Sequence, residues 1–223
     1  MTLQERLEQE DLLFGLKGYD VEDFLHRWKK ELSLFESVCS EDSKCPYHNF
    51  SHGVGVGMIM EKLLENNNDF GMGTKRLGVI AGIYHDFQYG CNKDDDINVR
   101  NTMADFLLNG KGVLSSLVDR EVVTTIIVQT RYPYKPDDIL TDLGKLLRDA
   151  DRLYGLVFSS TQMVNRLYLA LGHKLGVYYL SDFVERNIKF LEEFECFSQQ
   201  GKKLYDQTVQ QAISVHKHVL WGD

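Results

Sequence analysis

The chain is short of proline, of basic charge and of long apolar runs, and each shortage removes a class of protein. Its 223 residues include only three prolines, Pro46, Pro133 and Pro136, so long stretches are free to be helical. Lysine and arginine number 25 against 33 aspartates and glutamates, a formal charge of -8. That balance argues against broad electrostatic binding to nucleic acid or to an anionic membrane surface. A negatively charged substrate would need local help from a metal or a few placed cations. No apolar run approaches the roughly 20 residues of a membrane-spanning helix, and the acidic, amphipathic start MTLQERLEQEDLLFGL lacks a secretory layout. The four cysteines, Cys39, Cys45, Cys91 and Cys196, form no C-x-x-C pair. A chain this long can bury a core without staples, so free thiols in a reducing, cytoplasmic setting are expected. Repeats, low-complexity tracts and Gly/Ser linkers are also missing, and one domain is expected over residues 1–223.

What the chain does have is helical periodicity. Val21, Phe24, Leu25, Trp28, Leu32 and Phe35 form one stripe, with Asp20 placed to cap it. The segment TKRLGVIAGIYHD is apolar enough to be buried on most sides, with Thr74 as its N-cap. Ser181 heads a further helix whose face carries Val184, Ile188, Leu191 and Phe194. The same criterion covers roughly 3–14, 137–157, 161–172 and 204–220. EVVTTIIVQT (121–130) reads as a strand on propensity. Its neighbours are helical and a lone strand has no partner, so a buried helix is expected there. Breaks fall at 39–47, 66–73, 88–96 and 131–137. The expected fold is an all-α bundle, with the chemistry-bearing core over about 20–160 and additional C-terminal helices over about 161–221.

Three stretches can carry chemistry. CPYHNFSHGVGVG holds His48 and His52 four residues apart; on a helix they would share a face and could converge on one point, or simply cap and pack. IYHDFQYG sets His85 beside Asp86 at the end of an apolar segment, where an imidazole and a carboxylate are costly unless they bind something. LLRDADRLYGL carries Asp149, Asp151 and Arg152 among leucines, so at least one aspartate turns inward and needs a partner. Taken singly, each has an ordinary structural explanation. Together they form an ordered set of imidazoles and carboxylates, the mixed N/O donors that suit Mn, Fe, Zn, Mg or Ni with open positions.

The order His52, then His85-Asp86, then Asp151 resembles the HD-domain superfamily of metal-dependent phosphohydrolases over about residues 20–160. The string ADRL is similar to the segment supplying the last ligand in alarmone hydrolases and other HD enzymes, which favours Asp151 over Asp149. Y-H-N-x-x-H at Tyr47, His48, Asn49 and His52 resembles the signature of cyclic-nucleotide phosphodiesterases. HDFQYGCN is distantly similar to their H-D-x-x-H-P-G-x-x-N segment. The chain departs from that pattern: Tyr89 stands where the second histidine falls, the proline is absent, and Gly55 takes the place of an aspartate. No purine-gripping glutamine and phenylalanine pair is evident near the end of the chain. A smaller bacterial-type HD group with a Y-H-x-x-x-H start is a comparable match.

The resemblance implies that His52, His85, Asp86 and Asp151 hold a divalent cation, with Asp86 able to bridge to a second. Water activated at the site attacks a phosphate ester, and His48 protonates the leaving oxygen. It implies a phosphodiesterase-like enzyme acting on a small phosphorylated substrate, a nucleotide or a related ester, with neither nucleic acid nor membrane as partner. The alternatives are a nucleotidase or other phosphomonoesterase, and a non-catalytic nucleotide- or metal-binding sensor. Tyr89 in place of a histidine points to a single ion.

The remaining assignments carry less chemistry. Asn49 either caps a helix or supports a ligand. Asp149 either orients a ligating histidine or pairs with Arg148 or Arg152. Among Lys93, Arg131, Lys135 and Arg152, the favoured phosphate contact is Arg131. GVGVG lacks the trailing Lys-Ser/Thr of a phosphate loop and is expected to permit close helix packing. KDDD (93–96) reads as an exposed turn leading into a helix. His173, His216 and His218 are expected at the surface, and His26 is expected to be structural.

Overall fold

Short polar side chains decide where several helices begin. Asp20 accepts the Asp23 N–H at 2.9 Å and opens α1 (Val21–Arg27). Thr141 accepts the Gly144 N–H at 3.0 Å and opens α7 (Asp142–Val157), five residues later than the apolar pattern alone suggests. The structure is a computed structural model that describes residues 16, 19–39, 45–65, 67–90, 94–135 and 137–221. Between α1 and α7 lie α2 (Lys29–Cys39), α3 (Phe50–Glu65), α4 (Met72–Tyr84), α5 (Asp95–Asn109) and α6 (Leu117–Ile127). After α7 come α8 (Thr161–Leu171), α9 (Leu180–Glu192) and α10 (Gln199–Trp221). Among the described residues these ten helices and two 3-10 turns are joined by loops without a strand, so the fold is all-α as expected.

The ambiguous stretch 121–130 is helical. α6 buries Val123, Ile126 and Ile127 in the core, and Ser116 caps it through the Asp119 N–H. Burial there outweighs the few tenths of a kcal/mol per residue by which β-branched side chains disfavour helix. The helix tightens at its end into the 3-10 turn Val128–Thr130.

Some boundaries differ from the expected ones. The stripe over 20–38 is interrupted at Trp28, which ends α1 and whose indole N–H donates to Glu61 at 2.8 Å. Thr74 is not a cap, because the Lys75 N–H already bonds the Gly71 carbonyl and α4 starts at Met72. Ser181 is likewise inside α9, which starts after Tyr179. The helix proposed for 3–14 lies outside the described residues. α5 is the helix that KDDD leads into. Cys196 is a free thiol as expected, whereas Cys45 is disulfide-bonded, contrary to that expectation. Pairing depends on Cβ atoms meeting in space, which spacing along the chain does not reveal.

α3 is the centre of the bundle: every residue from Phe50 to Met60 is buried. It packs most extensively on α4 and α7, and α7 in turn packs on α10. The glycines of GVGVG make this possible, in agreement with the packing role read from the sequence. A Cβ on Gly53 would lie 2.5 Å from the Ile83 carbonyl oxygen of α4, and one on Gly55 would lie 2.3 Å from the Tyr154 ring of α7. One contiguous core runs from Leu16 to Ile213, with a smaller cluster of Val164, Val177, Phe183 and Val184 joining the C-terminal helices. No helix among the described residues is long and apolar enough to cross a membrane.

Candidate metal centre

The close approach of α3, α4 and α7 brings three separate stretches of sequence to one point. His52 sits in the first turn of α3, where Asn49 Oδ1 accepts its backbone N–H at 3.1 Å. Asn49 is therefore a cap, and its own amide donates to the Pro46 carbonyl at 3.0 Å. His48 precedes the helix, so the two histidines do not share a helical face. His85 and Asp86 form the turn that ends α4, and Asp151 projects from the middle of α7.

His52, His85, Asp86 and Asp151 each direct one donor atom into a group whose members all lie within 4.8 Å of one another. His52 Nε2 is 3.2 Å from His85 Nε2, 3.3 Å from Asp86 Oδ2 and 3.2 Å from Asp151 Oδ1. His85 Nε2 is 3.2 Å from Asp86 Oδ2 and 3.4 Å from Asp151 Oδ1. Neighbouring ligands on one ion with bonds of about 2.1 Å stand about 3.0–3.4 Å apart. The five separations that involve His52 or His85 fit that spacing, and the two carboxylates match the charge of a divalent cation.

The His85 ring is aimed by its own helix. A carbonyl oxygen can only accept, so Nδ1–H donates to Gly82 O at 2.8 Å and the Nε2 lone pair faces the cluster. This is the supporting bond that a ligating imidazole usually has. His52 lacks it: its Nδ1 is buried without a hydrogen-bond partner among the described residues. Packing holds that ring instead, with Tyr154 edge-on at 4.5 Å between centroids and Tyr47 at 4.9 Å.

Electrostatics follow from the crowding. Burial lowers the pKa of both His52 and His85, but the Asp86 and Asp151 carboxylates more than offset it and hold both imidazoles above their ordinary value, His85 well above. The carboxyls are shifted the other way. Burial raises them, yet the surrounding imidazoles hold Asp86 well below the usual carboxylate range and Asp151 below it too.

His48 stands beside this group. Its Nδ1–H donates to Asp86 Oδ2 at 2.6 Å, and Tyr89 stacks on its face, with centroids 3.8 Å apart and planes at 14°. Burial pulls its pKa down even against the neighbouring carboxylate. Asp95, at the start of α5, accepts the Tyr132 N–H at 2.6 Å; burial, together with the fields of Asp86 and Asp151, pushes its carboxyl up to about 6.

The other sequence candidates lie elsewhere. Asp149 neither orients a histidine nor pairs with its arginine neighbours, but binds the start of α10 through Phe197 and Ser198. Arg131 is paired with Asp96 at 3.1 Å. Arg152 donates to the Glu195 carbonyl and lies over the Phe194 ring. His216 is buried rather than at the surface, because Ala212 O and the Asn187 amide satisfy both its ring nitrogens. Sequence reasoning gave no role to Tyr47 and Tyr154, the rings that hold His52. Tyr154 lies one turn beyond Asp151, and that spacing was the available signal.

No family model matches the chain, and no curated protein matches it. The resemblance to HD-type enzymes accordingly rests on the motif residues themselves.

Proposed function

We propose that the chain is a metal-dependent phosphohydrolase of the HD type, with a preference for phosphodiesters of nucleotide-like substrates. The observation that carries this reading is the convergence of His52, His85, Asp86 and Asp151, whose imidazole Nε2 atoms stand 3.2 Å apart with two carboxylates beside them. Those four side chains would hold a divalent ion. When bound, such an ion polarises a phosphoryl oxygen and makes water a usable nucleophile near neutral pH.

His48 is the proton-transfer residue of this proposal. Its Nδ1–H is committed to Asp86, which leaves Nε2 as the nitrogen able to exchange a proton with a substrate oxygen. Burial keeps the ring neutral at rest. An anionic phosphate ester docking beside it would raise its pKa and charge the acid only once substrate is present. Tyr89 holds the imidazole plane through the stack, and Asp86 fixes its tautomer.

The test is hydrolysis of bis-p-nitrophenyl phosphate and p-nitrophenyl phosphate after loading with Mn, Mg, Zn or Ni. Diester cleavage that disappears in Asp86→Ala is the expected result. Cleavage of the monoester alone would replace the proposal with a nucleotidase. Bound metal with neither activity would leave a sensor module as the reading.

A further inference from the structure

We propose that Asp149 is a positioning residue for the metal centre: it grips the start of α10, and so fixes the rotation of α7 that aims Asp151 at the cluster. The inference rests on the metal-binding reading above. Asp149 is fully buried, and three donors from the C-terminal segment meet its carboxylate. Phe197 N–H donates to Oδ1 at 2.8 Å, while Ser198 N–H and Oγ–H donate to Oδ2 at 2.8 and 2.6 Å. Ser198 Oγ then accepts the Gly201 N–H at 2.9 Å. The carboxylate takes the two N–H groups just ahead of α10 and the hydroxyl takes one of the helix's own first donors, where negative charge is also favourable.

The fit has no slack. A Cβ on Gly201 would lie 2.2 Å from Asp149 Oδ2. One turn further along α7, Arg152 secures the same face: its Nη1 donates to Glu195 O at 2.8 Å, and its guanidinium lies 4.1 Å from the centre of the Phe194 ring. The residues on either side of the ligand are thus held by the segment that leads into α10, while the ligand itself faces His52 and His85.

At about 100° per residue, Asp149 and Arg152 share a helical face and Asp151 lies well round from both. The clamp therefore opposes rotation about the helix axis. A carboxylate oxygen lies about 5–6 Å from that axis, so a rotation of about 10° carries it about 1 Å. Metal–ligand distances tolerate only about 0.2 Å. The segment from Phe194 to Gly201 thus holds the fourth ligand in place from behind.

The test is titration of the full chain with Co2+, read by its visible absorption, alongside thermal unfolding. Ser198→Ala and Asp149→Asn should weaken cobalt affinity about tenfold or more, the usual effect of losing a supporting partner, and alter the cobalt band. Ser198→Thr, which keeps the hydroxyl, should restore both. Val184→Ala, buried in the separate C-terminal cluster, should lower the Tm and leave affinity unchanged. Should Asp149→Asn not fold, the Ser198 pair carries the test. Wild-type affinity in Ser198→Ala would overturn the inference, as would an equal loss in Val184→Ala. A wild-type chain that takes up no cobalt would overturn the metal reading itself, and this inference with it.

Discussion

A proton and a cation compete for the same lone pairs on His52 and His85. In the metal-free chain both imidazoles are held above 6.5. The stability they contribute is present in full below about pH 6.5 and is lost as the pH rises through their raised values. Asp86 and Asp151, held below 3.8, contribute stability that disappears only in acid. His48, held below 6.5, adds no slope above it. Chelator-treated protein should therefore lose Tm as the pH rises above about 6.5, and a divalent ion should reduce that loss. Melts across this range with and without EDTA check the point; a chelated Tm that stays level or rises contradicts it. His48→Ala should keep the metal and lower turnover by roughly 100-fold or more. Equal loss of metal would make His48 a ligand. At this scale the sequence was informative where chemistry forces a residue type: imidazole beside carboxylate is costly unless used, and the structure brings His52, His85, Asp86 and Asp151 together. It could not say what Asp149 or Arg131 meets, because Ser198 and Asp96 are separated from them by 49 and 35 residues.

Between elements, the centre depends on how closely α3 approaches its neighbours. Gly55 lies against Tyr154, the ring that also supports His52. Gly55→Ala should destabilise the fold by about 1–3 kcal/mol, the usual cost of overpacking, and weaken metal uptake by displacing that ring. Urea denaturation measures the first effect and metal titration the second; an unchanged midpoint would mean that α3 and α7 yield without strain. The glycine run was legible because it lacked the residues of a phosphate loop, which left close packing as its use. Helix starts were less so. Asp20 behaves as its position suggests, but Thr74 and Ser181 are bypassed because Gly71 and Tyr179 offer backbone carbonyls earlier. The β-branched run at 121–130 could be read as helix only from its surroundings, and its burial supplies the reason.

Over the whole molecule, an acidic chain gathers at its core a His/Asp group that could hold a cation, and binding there should stabilise the fold as a whole. An ion present at 100 times its Kd adds about 2.7 kcal/mol, so Tm should rise with metal concentration and return on chelation. Scarce proline and helical periodicity indicated the all-α architecture, but not the clamp by which the start of α10 grips α7, since that contact exists only in three dimensions. The most direct measurement is elemental analysis of the purified chain after reconstitution, set beside Asp151→Ala prepared in the same way. The account predicts at least one equivalent of divalent transition metal in the wild type and little in the variant. A folded wild-type chain that retains none would contradict it and return YHNFSH to the role of packing.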